Sequence, residues 1–99
     1  MTRADLVAWL DARRPAPPPT LRRHLLGLVH DGPGTLPDHL AEAGVALLGR
    51  VLTRPEGGRE LALDLLAADA LVTYAFEAQA ETDTGGLSIL ARRVAGENL

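Results

Sequence analysis

Three features of this sequence predict an all-α fold. Leu and Ala supply 19 and 16 of its 99 residues, against six Val and one Ile, and the commoner types lose little freedom in a helix. Aromatics are limited to Trp9, Tyr74 and Phe76, so the side chains that favour pleated strands are scarce. Apolar residues recur at helical spacing between breaks rich in Pro and Gly, and no segment reads as a strand. The expected architecture is one helical domain over 1–99. It is a small bundle of four main helices plus a short C-terminal helix, with a long central helix near 58–81.

The first helix is expected from about Thr2 to Arg14. Thr2 and Asp5 have the spacing of a capping box, Leu6, Trp9 and Leu10 share a face, and Pro15 stops the run. Pro15-Ala16-Pro17-Pro18-Pro19 then forms a stiff extended strut of roughly 15 Å, at about 3.1 Å per residue. Thr20 is expected to cap a second helix ending at Asp31-Gly32, with Leu21, Leu25, Leu28 and Val29 on its apolar face. Gly32-Pro33-Gly34 breaks the chain, and a third helix opens at Thr35-Leu36-Pro37-Asp38. Its buried positions are expected to be Leu40, Leu47, Leu48, Val51 and Leu52, with Gly44 and Gly49 offering close approach to another backbone. Arg54-Pro55-Glu56-Gly57-Gly58 ends it. The last helix sets Leu87, Leu90, Ala91 and Val94 against Arg92-Arg93 and closes at Gly96.

The long helix near 58–81 spans about 36 Å at 1.5 Å per residue. Its polar residues Glu60, Asp64, Asp69, Thr73, Glu77 and Glu81 fall mostly four or five apart and draw one solvated stripe. The rest is apolar, and a helix apolar around most of its circumference has to be enclosed. Either the shorter helices wrap it or a second molecule covers what remains, which points to a symmetric dimer or a partner helix. Leu63, Leu66, Val72, Tyr74 and Phe76 are the interface candidates. Asp69 sits among apolar residues and, if buried, calls for a cation from another helix. Arg22 and Arg23 are the candidates for that ion pair.

The segment Ala68-Asp69-Ala70-Leu71-Val72-Thr73-Tyr74-Ala75-Phe76-Glu77 resembles the Gly-Asp-Ala-Leu-Leu-x-x-Ala-Phe-Glu helix of the all-helical polyprenyl diphosphate synthases. That family works through two Asp-rich magnesium motifs. Neither has a counterpart here, and no two aspartates are adjacent anywhere in the chain. The resemblance therefore implies a helix and carries no activity with it.

Composition excludes several function classes. Ten Arg against thirteen acids leave a net charge of −3, which rules out a generally basic nucleic-acid binder. The pairs Arg13-Arg14, Arg22-Arg23 and Arg92-Arg93 keep a small DNA-associated regulator as an alternative reading. Residues 1–54 hold seven Arg and five acids (+2), and residues 55–99 hold three Arg and eight acids (−5), an asymmetry able to orient self-association. No Cys is present, so thiolate metal sites and cysteine nucleophiles are excluded. Ser88 lacks a Gly-x-Ser-x-Gly elbow. His24 and His30 lie six apart and do not share a helical face. His39-x-x-Glu42 does have ligand spacing and, with Asp64, Asp69 or Glu77, outlines a carboxylate/His metal-binding bundle as a lesser alternative. No catalytic constellation and no cofactor are expected. Asp64 and Asp69 interrupt the longest apolar stretch, Leu61 to Phe76, and Asp5 and Asp11 interrupt any leader, so a cytoplasmic protein with no membrane partner is expected. The functional expectation is a non-enzymatic helical module that self-associates or docks a partner helix.

Overall fold

A computed structural model describes residues 1–54 and 57–96. Pro55 and Glu56, part of the expected break after the third helix, lie outside the described residues. The fold is all-α, as the composition and spacing predict. The helices are α1 (Arg3–Asp11), α2 (Pro19–Leu26), α3 (Leu36–Leu52), α4 (Arg59–Thr82) and α5 (Leu87–Val94), with a 3-10 turn at Thr84–Gly86 before α5.

The Thr2 hydroxyl accepts the Asp5 amide at 3.1 Å and starts α1, as the capping spacing predicts. The helix ends at Asp11 rather than Arg14, and the Asp11 carboxylate is taken by Arg22 of α2. Pro19 opens α2, where a missing amide hydrogen has no helical partner to lose, so Thr20 lies inside the first turn and is not the cap. α2 ends at Leu26, well before Asp31. The Gly27 amide closes on the His24 carbonyl, and the chain then runs out with Val29 buried. Tertiary bonds replace the missing helical ones. The amide of Gly32 donates to the Met1 carbonyl at 3.1 Å, the Met1 nitrogen donates to the Gly32 carbonyl at 2.9 Å, and the Arg3 guanidinium donates to the Leu26 carbonyl at 2.8 Å.

α3 and α4 form the central hairpin. Thr35 caps α3 by accepting the Asp38 amide at 3.3 Å. The two helices come close at Gly44, where a Cβ would lie 2.9 Å from Val72 Cγ2 and 3.2 Å from Leu71 Cβ. The face of α4 turned inward is made of Ala67, Ala68, Leu71, Ala75 and Ala78, and these small side chains permit that spacing. Gly49 has nothing within 4 Å of the same position, so only one of the two glycines serves a close approach. α1 docks on the C-terminal half of α4 through Trp9, whose ring meets Tyr74 edge-on at 5.8 Å, and its Leu6 and Leu10 are buried in the core. Leu21 and Leu25 of α2 and Leu90 of α5 complete one continuous core.

Two expectations about burial need correction. Leu48 and Leu52 do not join Leu40, Leu47 and Val51 in the core: they are 39% and 75% exposed. Nor is α4 enclosed all round, since Leu65 and Leu66 stand 44% and 51% exposed. The reason is length. α1, α2 and α5 have nine, eight and eight residues, about 12–14 Å each, against about 36 Å for the 24 residues of α4. Helices that short cannot wrap it.

Candidate interaction surface

Val45, Leu48 and Leu52 recur at i, i+3 and i+7 and therefore lie along one side of α3, and all three are exposed. α5 partly covers this side. Its Arg93 and Val94 border a groove of about 310 Å³ with Ala41, Glu42, Val45 and Ala46. Its eight residues span about 12 Å, against about 25 Å for the 17 of α3, and Leu48 and Leu52 continue bare. Leu65 on α4 and Ile89 on α5 add further exposed aliphatic side chains.

The interface candidates on α4 are placed differently from one another. Val72 lies against Gly44, Tyr74 against Trp9, and Phe76 packs half-buried on the core. Leu63 is half-buried beside Thr20, Arg23, His24 and Gly27 of the α2 region. Leu66 alone among the five is exposed. The bare aliphatic row belongs instead to α3, where Leu48 and Leu52 are expected from the sequence to lie in the core. A sequence signal for this existed. Leu40, Gly44, Leu47 and Val51 already make one complete helical face, so Val45, Leu48 and Leu52 form a second that a single neighbour cannot also cover.

Charged residues pin the shorter helices to the hairpin. Arg13 stacks 3.8 Å from the centre of the Trp9 ring and reaches Glu81 at 2.8 Å and Glu77 at 3.8 Å. The Trp9 indole N–H also donates to Glu81 at 2.9 Å. Together these hydrogen bonds, the Arg13 one foremost, hold the Glu81 carboxyl below its usual range. Burial and the charge of Glu77 push the Tyr74 hydroxyl up. Arg93 of α5 bonds Asp38 and lies 3.6 Å from Glu42. Burial alone would raise the Asp38 carboxyl, but hydrogen bonds from Thr35 and Arg93 outweigh it and leave Asp38 lowered.

Of Asp64 and Asp69, the one that takes partners from elsewhere in the fold is Asp64. Asp64 is largely covered, its two oxygens accepting from Arg54, just beyond α3, and from His24 Nε2 of α2 at 2.5 Å. The Arg54 hydrogen bond is the main reason its carboxyl is held low. Asp69 is exposed, which removes the need for a buried cation partner. Arg22 is occupied by Asp11 at 2.9 Å, and Arg23 is exposed and enters none of the ion pairs among the described residues. Asp64 therefore departs from the solvated stripe expected along α4, and Glu81, although exposed, anchors α1.

The residues of the proposed metal bundle do not converge. His39 Nε2 bonds the Pro33 carbonyl at 2.6 Å, Glu42 faces Arg93, and Asp64 is taken by His24 and Arg54. Among the described residues, no group of three or more His, Cys, Asp or Glu is placed to hold a metal ion. No helix among them is long and apolar enough to cross a membrane. Compared with known proteins, the chain matches no family, no curated protein and no solved structure.

Proposed function

We propose that this chain is a non-enzymatic helical interaction module that self-associates through the bare aliphatic side of α3 and α4. One observation carries the reading: Val45, Leu48 and Leu52 make an ordered exposed row on α3, with Leu65 exposed on α4. A row of that kind on a helix is the surface a second helix covers, and burial of aliphatic area supplies affinity at about 25 cal/mol per Å² before the cost of association. The DNA-associated reading draws less support. Arg13, Arg22 and Arg93, one from each arginine pair, are already engaged by carboxylates.

Light scattering at two protein concentrations tests the proposal. The expected mass exceeds the 10.5 kDa of one chain, rises with concentration, and returns to one chain in the Leu48→Glu/Leu52→Glu variant. A mass of one chain at both concentrations would remove it.

A further inference from the structure

Asp31-Gly32 is the one Asp-Gly step in the chain, since each of the other six aspartates precedes a residue with a side chain. Such a step is open to an intramolecular reaction. The glycine backbone nitrogen attacks Cγ of the aspartate, and no Cβ on the glycine stands in the way. A C–N bond forms, and a carboxyl oxygen leaves as water with the amide hydrogen and a proton. Water then opens the resulting succinimide at either carbonyl. Opening at the side-chain carbonyl restores aspartate. Opening at the main-chain carbonyl leaves isoaspartate, which carries an extra methylene in the backbone. Water is the sole co-reactant, released in the first step and taken up in the second.

The step lies in the irregular segment between α2 and α3, and Asp31 is exposed. Both reacting groups are nevertheless in use. The Gly32 amide donates to the Met1 carbonyl at 3.1 Å, and Asp31 Oδ1 accepts the Arg3 amide at 2.5 Å. Asp31 enters none of the ion pairs among the described residues, so this amide is what holds its carboxyl. The Met1 nitrogen on the Gly32 carbonyl and the Arg3 guanidinium on the Leu26 carbonyl tie down the same stretch. For attack, Gly32 has to turn its nitrogen from Met1 toward Cγ, and the carboxyl has to leave Arg3.

We propose that Asp31-Gly32 is a site of spontaneous isoaspartate formation that residues 1–3 hold in check, and that its conversion frees the start of α1. The added methylene falls between the groups that bond Arg3 and Met1, so the two contacts lose their common register. None of these residues belongs to the aliphatic row of α3, and the outcome is independent of self-association.

Electron-transfer mass spectrometry distinguishes isoaspartate from aspartate at residue 31 after prolonged incubation. Arg3→Pro removes the amide that holds Asp31. Arg3 is the first residue of α1, where proline is accepted, and Thr2 before it is already extended. Arg3→Ala removes the guanidinium and keeps the amide. Isoaspartate should form about tenfold faster in Arg3→Pro, the worth of one hydrogen bond to a charged group, and near the parent rate in Arg3→Ala. The parent unfolded in urea needs no substitution and should react at least as fast as Arg3→Pro, and Gly32→Ala in urea should suppress the reaction. In the converted protein the Leu6 amide, bonded to the Thr2 carbonyl in the first turn of α1, should exchange faster with solvent. Equal rates in folded and unfolded parent, equal rates in Arg3→Pro and Arg3→Ala, or Leu6 exchange unchanged by conversion would each overturn the proposal.

Discussion

Gly44 of α3 lies against Val72 of α4 so closely that a Cβ at residue 44 would stand 2.9 Å from Val72 Cγ2, with the Val72 backbone nitrogen at 3.2 Å. At this crossing the glycine backbone of α3 packs directly on Leu71 and Val72 of α4, with no side chain of its own in between. Stability should depend on that contact more than on any single leucine of α4's outer side.

Gly44→Ala should accordingly destabilise the chain by about 1–3 kcal/mol, because backbone as well as a side chain would have to move. Gly49→Ala should do the opposite. With nothing within 4 Å, the added methyl clashes with no part of the chain, and replacing a helical glycine by alanine stabilises by up to about 1 kcal/mol. Urea denaturation of the two variants checks both signs. Equal effects would mean that α3 and α4 are not in the register described.

Core and surface leucines of α4 should separate cleanly. Leu71→Ala removes a fully buried side chain and should cost about 2–5 kcal/mol. Leu66→Asp alters an exposed residue and should leave thermal unfolding of the single chain nearly unchanged, within about 0.5 kcal/mol. Differential scanning calorimetry distinguishes them, and a collapse of folding in Leu66→Asp would contradict the burial pattern.

The carboxylates predict the acid limb of stability. Asp64, Asp38, Asp11 and Glu81 are all held below their ordinary values in the folded chain. A depressed carboxyl contributes stability above its unfolded value, about 4. That contribution is lost as pH falls through the lower folded value. Unfolding free energy should therefore be flat near neutrality with respect to these groups and decline below about pH 4. Asp64→Asn should lower stability at pH 7 by about 1–2 kcal/mol, because the charge and one of the two acceptor oxygens shared by Arg54 and His24 are lost, and should flatten the acid limb. Denaturation midpoints measured from pH 3 to pH 7, a window of about four units around these carboxylates, report both.

Trp9 is the single tryptophan and reports the docking of α1 directly. Its ring is covered by Arg13 and its N–H is held by Glu81. Arg13→Gln should shift its fluorescence emission to the red as water reaches the ring, while far-ultraviolet circular dichroism stays the same. An unshifted spectrum would show that the arginine does not shield the indole.

The helical class, the existence of α4 over nearly its whole observed length, the Thr2 cap and the proline-marked opening of α3 were all legible in residue order. Each depends on neighbours within one or two turns: a hydroxyl three residues before an amide, or a ring that locks its own backbone angle. What local pattern left open was which apolar residues stay wet and which charges meet. α2 stops at Leu26 because Met1 and Arg3 compete for the chain beyond it. Asp64, rather than Asp69, finds cations because Arg54 and His24 arrive from other elements. The aliphatic row of α3 stays bare because α5 is too short to reach along it. These outcomes turn on contacts between residues 10 to 40 apart in the chain. Hydrophobic spacing says how many faces a helix offers, and the length and number of its neighbours settle how many of them are covered.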